Sequence, residues 1–110
     1  MPAPTALPEC AQAFLTWLEF QKNAPPATLE AYRRDLLDFE AFLHGSEHSL
    51  LSPDGMTRHY IQKFSASLFR KDMARSSMAR KLSALRSLFR YLLQQKKITL
   101  NPCLGVRNPR

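Results

Sequence analysis

Residues 76–95, SSMARKLSALRSLFRYLLQQ, decide the fold. Met78, Leu82, Leu85, Phe89 and Leu92 step by four, three, four and three residues. That is the spacing of one apolar stripe on an α-helix. At about 100° per residue, Ser76, Arg80, Ser83, Ser87, Arg90 and Gln94 fall on the opposite side. This side sets arginines among serines and holds no acid. A solvated helix face ordinarily mixes Glu with Lys and gains from i,i+4 pairs. Here the helix offers its arginines no acid of its own, which points to an anionic partner outside the chain.

The same periodicity recurs upstream. Leu29, Tyr32, Leu36, Phe39 and Leu43 predict a second long helix over residues 27–44. Its far side carries Glu30, Arg34, Asp38 and Ala41, a mixed charge. Before it, Phe14, Leu15, Trp17 and Leu18 predict a first helix from Glu9, with Phe14 and Trp17 as large core anchors. Asn23-Ala24-Pro25-Pro26 closes that helix and opens the next, because proline fits a first helical turn but cannot continue a helix. Between the long helices, Tyr60, Ile61, Phe64 and Leu68 predict a third over 58–70. Gly45 is placed to cap the second helix and Thr57 to cap the third. Ser76 or Ser77 is placed to cap the fourth, which should end near Lys97. In the connector SEHSLLSPDG (46–55), Leu50 and Leu51 are expected to tuck back onto the core. No segment alternates like a strand. The expected architecture is all-α, with four helices in two hairpins.

The chain of 110 residues has the length of one domain and a formal charge of +7. The charge is unevenly placed. Residues 1–55 hold three Lys or Arg against eight acids, −5; residues 56–110 hold thirteen against one, +12. Such asymmetry suggests a polyanion held chiefly by the second half. Cys10 and Cys103 form neither a disulfide framework nor a zinc pattern, which suits a reduced, cytoplasmic protein. The first residues lack a signal peptide's basic and apolar regions, and no apolar run reaches the ~20 residues of a membrane span.

Catalytic patterns are scarce. His44, His48 and His59 have no metal-ligand spacing, and three glycines make neither a Walker loop nor a GxGxxG. No metal and no cofactor is expected. Asp35 and Asp38 lie beside Arg33 and Arg34 and read as surface pairing. The serines have no companion histidine to activate them. An independent enzyme is therefore disfavoured. Binding fares better. Serines on a helix allow close approach to phosphates and base edges, and arginines between them reach phosphate or guanine O6/N7. A major groove of double-stranded DNA accepts such a helix. Lys81 and Arg86 flank the apolar stripe, where a long stem either reaches the groove or covers apolar neighbours.

The run TLEAYRRDLLDFEAFL (28–43), followed by SSMARKLSALRSLFRYL (76–92) and Asn101-Pro102, resembles the N-terminal core-binding domain of tyrosine recombinases, especially the bacterial Xer type. The resemblance covers residues 9–110. It implies a SAM-like four-helix core-binding domain over 9–100, preceded by a flexible tail (1–8) and followed by the start of an interdomain linker (101–110). It implies that the second and fourth helices face the major groove of a recombination half-site. A separate catalytic domain would follow. The DNA-facing positions it implies are Thr28, Ala31 and Arg34 on the second helix, and Ser76, Arg80, Ser83, Ala84 and Ser87 on the fourth. Lys81 and Arg86 join them as candidates from their flanking positions. The whole protein would assemble as a tetramer of recombinase subunits on DNA, and the isolated domain is expected to be monomeric and inert. Tyr32, Tyr60 and Tyr91 are not nucleophile candidates. Many members place a serine where Pro25 stands, so the cap of the second helix is expected from Asn23 or Thr28. The alternative is a helical protein-interaction module that mediates subunit contacts.

Overall fold

A computed structural model describes residues 6–107. It contains four helices and no strand among those residues: α1 (Glu9–Gln21), α2 (Pro26–Gly45), α3 (Arg58–Arg70) and α4 (Arg75–Gln94), with a 3₁₀ turn at Pro53–Gly55. α1 packs on α2, and α3 on α4. The chain divides into two compact units, Met1–Pro53 and Asp54–Arg110, each built on one of these hairpins. Most of the expected tail and part of the 101–110 segment, including Pro109 and Arg110, lie outside the described residues.

In the first unit the buried apolar residues include Ala11 and Phe14 from α1 and Leu36, Phe39 and Leu43 from α2. Trp17 is only half-buried; its ring stacks on Phe14 and carries the Lys22 ammonium 5.3 Å from the ring centroid. In the second unit Ile61, Phe64 and Leu68 are buried on α3. On α4 the buried set is wider than the five-residue stripe, adding Lys81, Ala84 and Leu88.

The helix beginnings make little use of side chains. The N-cap residues are Pro8, Pro25, Thr57 and Ala74, and none makes a side-chain cap hydrogen bond. Thr57 occupies the expected position without the bond. Neither Asn23 nor Thr28 caps α2; Pro26 at the first helical position has no N–H in need of an acceptor, so the Pro-Pro junction sets the start by backbone preference. α4 starts before Ser76 and Ser77, with Ala74 as its N-cap, because the Ala74 carbonyl already accepts from Met78 N–H at 3.0 Å.

The helix ends follow one rule. α2, α3 and α4 each close with paired backbone bonds around a left-handed residue. His48 N–H donates to Leu43 O at 2.9 Å, Met73 N–H to Leu68 O at 3.4 Å, and Lys97 N–H to Leu92 O at 2.9 Å. In each case the residue just before the donor has positive φ: Glu47 (56°), Asp72 (56°) and Lys96 (58°). Glu47, Asp72 and Lys96 also donate to His44 O, Phe69 O and Leu93 O, each at 3.1 Å. This is the Schellman arrangement, made without glycine. Gly45 is therefore not the cap: it is the last residue of α2, and the left-handed turn comes two residues later. α4 likewise stops at Gln94 rather than near Lys97.

Candidate nucleic-acid interface

The strip expected on α4 is present. Ser76, Arg80, Ser83, Arg90 and Gln94 are exposed and Ser87 is half-buried, all on the side opposite the apolar stripe. The helix has no acid in its first turn and none anywhere along it. Arg75 forms its first residue and is exposed, following the basic pair Arg70-Lys71. These basic residues stand just ahead of the strip in the chain, a feature legible in the connector's composition but not assigned to the site from sequence.

Three expected positions are placed otherwise. Ala84 is 0% exposed and Lys81 6%, so neither belongs to the accessible strip. The physical reason is angular. At about 100° per residue, Ala84, Leu88 and Lys81 extend the buried sector about 80° beyond the stripe of Met78, Leu82, Leu85, Phe89 and Leu92. Arg86 lies on the other flank and is half-buried. Its Nη2 donates to Val106 O at 2.9 Å, so its side chain is engaged within its own unit.

On α2, Thr28 and Ala31 are half-buried and Arg34 is exposed. Arg34 Nε lies 3.4 Å from Glu30 Oε1 one turn earlier. The two side chains are 73% and 54% exposed, so the pair is weak and can be exchanged for another anion at small cost. Asp35 does not lie at the surface as expected: it is 1% exposed, whereas Asp38 is exposed.

A polar centre that sequence reading overlooked lies on the other side of α2. Glu40 is 2% exposed. Its carboxylate accepts from Leu50 N–H at 2.8 Å, from the Ser49 hydroxyl, and from His44 Nε2 at 3.0 Å. This ties the connector after α2 back to the helix and buries Leu50, while Leu51 stays 75% exposed rather than tucking in. The available signal was a lone acid between Phe39 and Leu43 with histidine four residues on. Among the described residues, no three His, Cys, Asp or Glu side chains are grouped to hold a metal ion. No helix among them is long and apolar enough to cross a membrane.

Fold and surface thus define a small all-helical module whose positive charge is gathered on its second hairpin. The family of the phage integrase N-terminal SAM-like domain matches residues 11–96, and the chain belongs to it. Among curated relatives, the tyrosine recombinase XerC of Pelotomaculum thermopropionicum is 38% identical over 100 residues, 88% of this chain and 33% of the relative. The tyrosine recombinase XerC of Halalkalibacterium halodurans is 33% identical over 89% of this chain and 32% of its own length. The tyrosine recombinase XerD of Bradyrhizobium diazoefficiens is 40% identical over 83 residues, 76% of this chain and 25% of the relative. The chain spans about a third of the length of the first two relatives. No solved structure matches it significantly.

Proposed function

We propose that this chain is the DNA-binding N-terminal domain of a Xer-type site-specific tyrosine recombinase acting in chromosome dimer resolution. α4 enters the major groove of a recombination half-site through Ser76, Arg80, Ser83 and Ser87. α2 contributes Thr28 and Arg34, whose weak pair with Glu30 opens to let the guanidinium take a phosphate. The chain performs no chemistry alone. The whole protein works as a tetramer on DNA in the cytoplasm, and a further domain carries strand cleavage. The observation that carries this reading is the exposed, acid-free strip of α4 in a member of this domain family. Arginine donors there reach phosphates and base edges, while serines keep the helix close to the groove floor.

The test is a duplex-DNA titration of this chain at increasing salt. Affinity at low salt that falls steeply with salt supports the proposal; no affinity at low salt overturns it. A second reading, a module for subunit contacts, is favoured by the exposed rings of Phe20 and Phe69. Size-exclusion chromatography without DNA separates the two, since the DNA-binding reading expects a monomer and a stable oligomer supports the second.

A further inference from the structure

We propose that Arg86 and Arg58 form a clamp that docks the segment after α4 onto the α3–α4 hairpin. The segment is ordered by its own bonds first. Asn101 Oδ1 accepts from Cys103 N–H at 2.9 Å. Leu104 N–H donates to Asn101 O at 3.3 Å and Val106 N–H to Cys103 O at 3.2 Å, giving two successive turns. Ile98, Pro102 and Cys103 are buried, while Leu100 and Leu104 point outward. At the far end, two arginines from different helices meet the backbone. Arg86 of α4 donates to the Val106 carbonyl. The Arg58 guanidinium lies against Gly105: a Cβ there would sit 3.5, 3.7 and 3.8 Å from its Cζ, Nη2 and Nη1. Near-equal distances to three atoms of one planar group mean that the group is presented face-on. Gly105 has φ +79°, a conformation that L side chains rarely adopt. The turn that brings Val106 O to Arg86 therefore depends on this glycine.

This assigns Arg86 a positioning role rather than a DNA contact. It lies between Ser83 and Ser87, so the helix that presents the strip also holds the chain that follows it. The clamp stands on contacts within the second unit and does not depend on the DNA-binding reading.

Cys103 reports on the docked state. Burial pushes its thiol up to about 12 from an ordinary 9.0, partly offset by the nearby Arg86 charge. Two roles for Arg86 then have opposite signs. If Arg86 only supplies positive charge, its loss raises the thiol further and slows alkylation. If it holds the segment down, its loss exposes Cys103 to water, lowers the thiol and speeds alkylation. The experiment follows iodoacetamide alkylation of this chain in a Cys10→Ser background at about pH 8. Arg86→Ala is expected to react about tenfold faster or more, as a drop of one or more pKa units requires. Arg86→Lys should recover part of the protection and Arg80→Ala should match the parent. An unchanged or slower rate in Arg86→Ala overturns the clamp. Should Arg86→Ala lose helix content by circular dichroism, Gly105→Ala decides, since it strains the turn without touching α4; a parental rate there overturns the clamp. Duplex binding by the same variants separates the two proposals. Arg86→Ala should bind as the parent does, and weaker binding with unchanged alkylation makes Arg86 a DNA contact and overturns the clamp. A parent that binds no DNA sinks the proposed function and leaves the alkylation result to stand.

Discussion

Arg80 and Glu40 are the side chains on which most depends, and for opposite reasons. Arg80 is exposed at the centre of the α4 strip, where a guanidinium can take guanine O6/N7 or a phosphate. Arg80→Ala should weaken duplex binding by about 1–3 kcal/mol if it reads a base. Filter binding or fluorescence anisotropy against the parent measures this, and equal affinities would remove Arg80 from the interface. Glu40 is a buried acid that stays because three donors converge on it. Glu40→Ala leaves the Leu50 N–H and the Ser49 hydroxyl without their acceptor. Losing charge-assisted bonds at a buried site should cost roughly 2–4 kcal/mol, read as a lower urea midpoint. A midpoint within error of the parent would show that the connector is held by Leu50 burial alone. Arg80 was legible in the sequence because exposure follows from helix angle. Glu40 was not, because its partners Ser49 and Leu50 lie nine and ten residues away across a turn.

Helix extents were readable to within a residue for α1, α2 and α3, where apolar spacing and the prolines agree. Helix ends were less so. A glycine after an apolar stripe is the usual cap signal. Here the left-handed residue is Glu47, because the bonds to Leu43 O and His44 O close the helix only there. Gly45 is left in ordinary helical backbone with no atom within 4 Å of an added Cβ. Gly45→Ala should therefore raise stability by about 0.5–1 kcal/mol through lower unfolded-state entropy and better helix propensity. Glu47→Gly should also stabilise, by relieving an L side chain in the left-handed region. Thermal melts of both variants check the assignment; destabilisation by Gly45→Ala would mean that Gly45 is the cap after all. The width of the buried side of α4 escaped the sequence for a related reason. Lysine and alanine carry no signature of burial, so Lys81 and Ala84 disappear only when the flank of the helix is covered.

At the scale of the whole molecule, charge follows the division into units. Met1–Pro53 holds three Lys or Arg against seven acids, −4, and Asp54–Arg110 holds thirteen against two, +11. The charge that would attract a polyanion thus lies on the second hairpin, and the contribution proposed for α2 rests on individual residues rather than on field. If the chain neutralises four phosphates, log K should fall against log salt with a slope of about −3.6. Arg80→Ala should make that slope shallower by about 0.9 if Arg80 meets a phosphate. A slope near zero would assign the binding to something other than phosphate neutralisation. The sequence by itself determined the helix number, the pairing order and the acid-free face of α4, because those depend on spacing along one helix and on adjacency in the chain. Tertiary structure alone decided that Glu40 latches a connector, that Lys81 and Ala84 leave the strip, and that Arg86 reaches Val106. Each depends on groups brought together by packing and turns, at separations for which local periodicity carries no information.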